Sequence, residues 1–130
     1  FKNDKRISVS KRKNTKNCIF ATGFPFREKQ LKENFSGIFL DIFDKIVDLR
    51  RMGSACQDLC FVAEGIFDGF FEYGLSPWDI AAGILIVEEA GGKVSDFKGG
   101  RDFFKNGDIL ATNGKIHNKM VSILKKYSRG

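Results

Sequence analysis

The sequence is poor in the side chains that build metal and disulfide frameworks. It contains one histidine, His117, and three cysteines, Cys18, Cys56 and Cys60, which form no Cys-x-x-Cys pair. A structural zinc site needs four clustered nitrogen or sulfur ligands, and a disulfide framework normally uses an even number of cysteines. We therefore predict reduced core cysteines, with Cys56 and Cys60 on the buried stripe of one helix, and we interpret His117 as a surface residue.

Long apolar runs are also missing. No stretch reaches the roughly 18 apolar residues that a membrane-spanning helix requires, and no basic-then-apolar leader opens the chain. These absences, together with reduced cysteines, predict a cytoplasmic protein with no membrane partner. The chain has 130 residues, of which 42% are hydrophobic, so it can bury the core of one domain. It begins at Phe1 without an initiator methionine, and we expect it to be part of a longer protein.

The net charge of +6 is confined to the first 16 residues. This segment carries seven basic residues against Asp4 alone, whereas the remainder has 15 basic and 15 acidic residues. No aromatic residue lies between Phe1 and Phe20 on which a base could stack. We predict a solvated basic strand followed by a turn. A surface that binds nucleic acid or another polyanion is the alternative.

Apolar periodicity predicts strands alternating with helices. The predicted strands are 18–22, 47–50, 67–73, 93–97 and 109–112, and the predicted helices are 31–46, 54–63, 77–90 and 116–127. Such alternation predicts an α/β layered domain with a mixed, largely parallel sheet flanked by helices. The helix over 77–90 is apolar around nearly its whole circumference, so we expect it to be covered on several sides.

Asp79 is the most informative single residue. It lies in the first turn of the helix over 77–90, which has no other charge until Glu88. Burying a lone carboxylate is unfavourable, so Asp79 needs a partner. With Ser76 as N-cap and Pro77 at the first helical position, the carboxylate could close a capping box. It could instead bind a metal ion.

Several polar positions follow predicted strands. Gly53-Ser54, Glu72 and Asp79 each fall at a strand end or at the helix start just beyond it. Ligands of α/β sheets bind where such ends meet. We therefore expect these residues to converge on one site.

A set of motifs in order along the chain resembles a known family. The motifs are Gly53-Ser54-Ala55, Val62-Ala63-Glu64-Gly65, Asp68-Gly69, Trp78-Asp79 and Glu89-Ala90-Gly91-Gly92. Together they strongly resemble the carboxy-terminal half of the inositol monophosphatase family of Mg-dependent, lithium-sensitive phosphomonoesterases, and Ala21-Thr22-Gly23-Phe24-Pro25 looks like its bacterial members. The resemblance implies that residues 1–130 form the carboxy-terminal α/β domain of the inositol monophosphatase and fructose-1,6-bisphosphatase fold. Residues 1–16 would join it to an amino-terminal half.

The resemblance also implies roles for five residues. Asp79 matches an aspartate that ligates the second catalytic Mg²⁺, and Glu72 matches the carboxylate that accepts hydrogen bonds from inositol hydroxyls. Ala55 matches a position whose backbone contacts the same ring, and Gly53 and Ser54 match the adjoining turn. The family's amino-terminal segments that hold most metal ligands, a Gly-Asp segment, an acidic segment and Asp-Pro-Leu-Asp-Gly-Thr, have no counterpart here, and Gly107-Asp108 near the end of the chain is not that Gly-Asp segment. No catalytic residue is predicted here, and we expect the isolated chain to bind Mg²⁺ weakly and to be inactive.

The implied activity of the longer protein is Mg²⁺-dependent hydrolysis of a small phosphate monoester, such as inositol monophosphate or a related polyol phosphate. A homodimer is also implied. The acidic Glu72 suits neutral hydroxyls and repels a second phosphate. The alternatives are a fructose-1,6-bisphosphatase or a nucleotide 3'(2'),5'-bisphosphate phosphatase of the same fold, and a non-catalytic domain that binds RNA or another polyanion through its basic segment.

Overall fold

One mixed sheet organises the molecule, whose computed structural model describes residues 6–25 and 28–129. The strands are β1 (Ile19–Thr22), β2 (Asp48–Arg50), β3 (Gly69–Glu72), β4 (Lys93–Ser95) and β5 (Ile109–Thr112). Their order across the sheet is β2-β1-β3-β5-β4. Strands β2, β1 and β3 run parallel, and β5 is antiparallel to both β3 and β4. The carboxyl ends of β1, β2 and β3 therefore meet at one edge of the sheet.

Helices cover both faces of this sheet. They are α1 (Lys32–Phe43), α2 (Ala55–Ala63), α3 (Pro77–Glu89), the short α4 (Phe103–Asn106) and α5 (His117–Leu124). Apolar residues of α2 and α3 pack in the core on one face, and those of α1 and α5 pack in the core on the other. None of the helices in the described ranges is long and apolar enough to cross a membrane.

Alternation along the central strands creates the two cores. Phe70 belongs to the core beneath α2 and α3, whereas its neighbour Phe71 belongs to the core beneath α1 and α5. Successive side chains of a strand point to opposite faces, so adjacent phenylalanines can be buried only where both faces are covered. This explains why the central strands are continuous apolar runs.

The α/β fold predicted from the sequence is confirmed, and all five strands lie within or at the predicted segments. Parallel pairing is less dominant than expected, since two of the four strand pairings are antiparallel. Only β5 runs opposite to the other four strands, and α4 with its flanking turns connects β4 to β5 instead of a long crossover helix. Antiparallel neighbours can be joined by such a short connection.

The basic amino-terminal segment is not the predicted strand over its described part. Residues 6–14 form neither strand nor helix, and residues 1–5 of that prediction lie outside the described ranges. Polar contacts fix the segment instead: Asp68, which is buried, accepts hydrogen bonds from the Ser10 hydroxyl and from Arg12 Nη1, the latter at 2.9 Å. Asn113 Nδ2 donates to Ser10 Oγ and to the Arg12 carbonyl, both at 2.9 Å.

The prediction that His117 is a surface residue was wrong. Only 1% of His117 is exposed, and its ring lies between the Ser95 and Thr112 hydroxyls, at 2.7 Å from Nε2 and 2.9 Å from Nδ1. Burial, together with the nearby positive charge of Lys93, lowers the pKa of His117 to about 4. The imidazole is therefore a neutral part of the core at physiological pH.

Two further burial predictions were wrong in part. Cys18 is buried, but Cys56 is exposed and Cys60 is only half-buried. Helix α3 buries one side, yet Trp78 is 83% and Leu85 61% exposed. Within the described residues, α2 and the sheet cover only the inner side of α3, so its outer apolar face meets solvent.

Candidate functional site

A cleft of about 730 Å³ lies at the edge where the three parallel strands end. All five sequence-predicted site residues line it: Gly53, Ser54, Ala55, Glu72 and Asp79. The parallel topology explains this convergence, because the loops after β2 and β3 emerge at the same edge. The structure thus brings together residues that lie up to 26 positions apart in the sequence.

The loop after β2 forms one wall of the cleft. Ser54 is the N-cap of α2, and its Oγ accepts a hydrogen bond from Gln57 N at 3.3 Å. Ala55 begins the helix directly behind it. The start of α2 therefore faces the cleft with its first turn fixed by a side-chain cap.

Asp79 lies on the opposite wall, in the first turn of α3. Ser76 is the N-cap but makes no side-chain capping bond, and its hydroxyl instead donates to Asp79 Oδ2 at 2.6 Å. Among the described residues, the Asp79 carboxylate thus accepts its hydrogen bond from the Ser76 side chain and does not close a capping box with a main-chain amide. Asp79 is exposed and lines the cleft, so its carboxylate is available to a ligand.

Glu72 ends β3 and is half-buried in the floor of the cleft. Its carboxylate lies directly over Gly23, which follows β1, and a Cβ at position 23 would overlap it. Strands β1 and β3 are neighbours, with Thr22 paired to Phe71. The absence of a side chain at Gly23 is therefore what allows Glu72 to lie flat across the end of β1.

The cleft floor has an unusual electrostatic environment. The pKa of Glu72 is raised to about 7, mainly by burial and also by the negative charges of Asp58 and Asp79, which outweigh the opposing effect of Arg51. Asp58 is 1% exposed, and its Oδ1 has no hydrogen-bond partner among the described residues. Burial raises its pKa to about 6. Near neutral pH, Glu72 therefore exists as a mixture of the acid and the carboxylate.

The described residues do not form a complete metal site. They contain no group of three or more histidine, cysteine, aspartate or glutamate side chains placed to hold an ion. Mg²⁺ in proteins is commonly bound by one or two carboxylates together with several waters and substrate phosphates. Asp79 can contribute one such carboxylate, and the remaining protein ligands would have to come from elsewhere.

Two charged lining residues were not predicted as site residues. Arg51 and Glu28 both line the cleft, the first after β2 and the second after β1. The sequence placed a turn at Gly23-Phe24-Pro25, after a predicted strand. Because β1 and β3 are parallel, the turn after β1 lies at the same edge of the sheet as Glu72, so the position of Glu28 in the cleft wall could have been predicted from it.

Comparison with known proteins identifies the family of the chain. The model of the inositol monophosphatase family matches residues 1–129. The chain belongs to the inositol monophosphatase family.

Relatives in the inositol monophosphatase family are similar in sequence over nearly the whole chain. A protein named putative Nus factor SuhB from Neisseria meningitidis serogroup B is 46% identical over 125 residues, which are 96% of this chain and 48% of the relative. Nus factor SuhB from Escherichia coli K12 is 46% identical over 120 residues, 92% of this chain and 45% of the relative. The chain thus spans about half the length of these relatives.

Solved structures of the inositol monophosphatase family share its fold. The extragenic suppressor protein suhB from Bartonella henselae superposes with a TM-score of 0.91 at 41% identity, covering 97% of this chain and 48% of that structure. An inositol monophosphatase from Anabaena gives a TM-score of 0.88 at 37% identity, covering 95% and 49%. The mixed sheet with helices on both faces is therefore shared with the matched half of each of these structures.

Proposed function

We propose that this chain is the carboxy-terminal half of a Mg²⁺-dependent phosphomonoesterase that acts on inositol monophosphate or a related polyol phosphate. The observation that carries the proposal is the convergence of Glu72, Asp79 and the start of α2 on one cleft at the carboxyl ends of three parallel strands. The uncovered face of α3 is consistent with a further part of the protein packing there.

In this proposal Asp79 supplies one metal ligand and Glu72 binds substrate hydroxyls. Bound Mg²⁺ would supply Lewis-acid activation of water and stabilise the leaving oxygen. Ser76 orients the Asp79 carboxylate through its 2.6 Å hydrogen bond. The turn at Gly53, Ser54 and Ala55 would position the polyol ring against Glu72.

The test is phosphate release from inositol monophosphate by the full-length protein, compared with Asp79→Asn and Asp44→Asn. Asp44 is an exposed aspartate at the end of α1 and does not line the cleft, so its variant makes the same chemical change elsewhere. Asp79→Asn removes a charge that would hold the metal ion, and loss of a group that stabilises the transition state electrostatically commonly lowers kcat by about 10² to 10³-fold. We expect that loss for Asp79→Asn and unchanged activity for Asp44→Asn.

Two results would contradict this proposal. One is full activity of Asp79→Asn over a Mg²⁺ titration. The other is robust Mg²⁺-dependent turnover by the isolated 130-residue chain, since the other metal ligands are proposed to lie outside it. A substrate panel with fructose 1,6-bisphosphate and nucleotide bisphosphates tests the alternative phosphatase activities.

A non-catalytic role in binding RNA is the second candidate, and the relatives named Nus factor favour it. Lys11, Lys13 and Lys16 are exposed, whereas Arg12 is paired with Asp68. Under this proposal, replacing Lys11 and Lys13 with glutamate weakens a salt-sensitive association with RNA. The matched control is Lys119→Glu, an exposed lysine on α5.

A further inference from the structure

Glu28 places a second carboxylate beside Glu72 in the cleft. It lies between Pro25 and the turn that precedes α1, and its side chain lines the cavity. Its Oε2 lies directly against Gly74, where a Cβ would overlap it. Gly74 has φ +70°, a conformation that favours glycine. The main chain that links Glu72 to Asp79 thus passes directly beside the Glu28 carboxylate.

Arg129 fixes that carboxylate in place. Its Nη1 donates to Glu28 Oε1 at 2.6 Å, while its Nε and Nη2 donate to the two oxygens of Asp108 at 3.0 and 2.7 Å. Asp108 is buried, and its Oδ1 also accepts a hydrogen bond from Gly74 N at 3.0 Å. Bidentate pairing of arginine with a carboxylate fixes orientation as well as distance. Glu28, Arg129, Asp108 and the Gly74 backbone therefore form one connected unit.

The unit leaves one side of Glu28 for a ligand. Oε1 accepts from Arg129 and Oε2 lies beside the Gly74 backbone, but the Glu28 side chain lines the cavity and is 32% exposed. The single positive charge of Arg129 lies between the two negative charges of Asp108 and Glu28, so the unit keeps a net negative charge. A fixed carboxylate of this kind accepts hydroxyl hydrogen bonds and repels phosphate.

The charges around the cleft favour a substrate with one phosphate and several hydroxyls. Among the described lining residues, the charged groups are the carboxylates Glu28, Glu72 and Asp79 and the guanidinium of Arg51. A site built to hydrogen-bond a hydroxyl discriminates strongly against analogues that lack it, and a like charge nearby disfavours a second anionic group.

We propose that Glu28 is a specificity-determining residue of the cleft, which binds a hydroxyl of a polyol monophosphate and selects against a bisphosphate, with Arg129 as its positioning residue. The inference rests on the proposed phosphatase function and names the substrate class for the same cleft. It requires that Glu28 acts on substrate preference and not on the chemical step.

The experiment compares the full-length protein with Glu28→Gln, Arg129→Lys and the control Glu33→Gln. Glu33 is an exposed glutamate in the first turn of α1, outside the cleft. The readouts are KM and kcat for inositol monophosphate and for fructose 1,6-bisphosphate, together with Kd for both compounds by calorimetry. Binding is measured separately because it does not depend on turnover.

For Glu28→Gln we expect KM and Kd for the monophosphate to rise about tenfold and the preference over the bisphosphate to fall about tenfold, with kcat within roughly threefold of the parent. Arg129→Lys, which keeps the charge but loses the bidentate geometry, should give a smaller shift in the same direction. Glu33→Gln should match the parent.

Unchanged preference in an active Glu28→Gln protein overturns the inference and leaves the phosphatase proposal standing. A fall in kcat with constant KM and Kd also overturns it, because Glu28 would then act on the chemistry. A parent protein that neither binds nor hydrolyses the monophosphate overturns both proposals.

Discussion

Acid sensitivity of folding should depend strongly on His117. The ring is buried between the Ser95 and Thr112 hydroxyls, and burial and Lys93 lower its pKa to about 4. In the unfolded chain the pKa of histidine is near 6.5. Folding therefore favours the neutral ring, and the stability linked to it is present above pH 6.5 and is lost as the pH falls from 6.5 towards 4.

The size of the effect follows from the difference between the two pKa values. Between pH 7.5 and pH 4.5 the contribution of His117 to the free energy of unfolding should fall by about 2.5 kcal/mol. Asp58 and Glu72 also titrate within this range, with pKa values raised by burial. Their contributions to the free energy of unfolding are the same in the parent and in a variant changed only at His117, so they cancel in the difference between the two proteins.

The perturbation is His117→Gln, which keeps a hydrogen-bonding side chain but does not titrate. Urea unfolding followed by circular dichroism at pH 7.5 and 4.5 gives the free energy of unfolding of the parent and of the variant. We expect the variant to be less stable at pH 7.5, because a packed ring is lost. The difference between the two proteins should shrink by about 2.5 kcal/mol at pH 4.5.

The reasoning is refuted if the difference in stability between the two proteins is the same at both pH values. A His117 titration near pH 6.5 in the folded protein, observed by NMR, would refute it independently. Either result would mean that the imidazole is hydrated or able to leave its site without unfolding.

Two further predictions concern the floor of the cleft. Asp58→Asn removes a buried carboxylate whose Oδ1 has no hydrogen-bond partner among the described residues. Burial raises the pKa of Asp58 to about 6, so its ionisation destabilises the fold above that pH. The free energy of unfolding of the variant, measured with urea, should therefore exceed that of the parent by about 1 to 3 kcal/mol at pH 7.5 and match it near pH 4. In Gly23→Ala the new methyl group should displace the flexible end of Glu72. We expect KM for inositol monophosphate to rise about tenfold in the full-length protein, with little change in Tm. An unchanged KM would contradict the placement of the Glu72 carboxylate over Gly23.

Local patterns in the sequence were sufficient for the five strands, the four longer helices and five residues of the cleft. The run Ile109–Thr112 was predicted to the residue. Glu72 and Asp79 were placed on one site because parallel strands end at a common edge. The binding roles of these residues remain predictions.

Burial was harder to predict, because it depends on distant parts of the chain. His117 begins a helix, and nothing in its neighbours indicates that the Ser95 and Thr112 hydroxyls enclose it. Glu28 likewise lies in a loop without a motif, and Arg129, which holds it, is 101 positions away. Side-chain networks of this kind are formed by tertiary contacts that a local pattern does not encode.

Asp68 holds the basic amino-terminal segment at a fixed place on the sheet through Ser10 and Arg12, which separates the proposed polyanion-binding lysines from the proposed phosphatase cleft. Asp68 immediately precedes β3, whereas the cleft opens beyond Glu72 at the other end of the same strand. The contacts of a polyanion with Lys11 and Lys13 would thus lie about a strand's length, roughly 13 Å, from the cavity. Substitutions of these lysines and substitutions of Glu72 or Asp79 therefore alter opposite ends of β3, so that the two proposed activities can be tested by separate sets of variants.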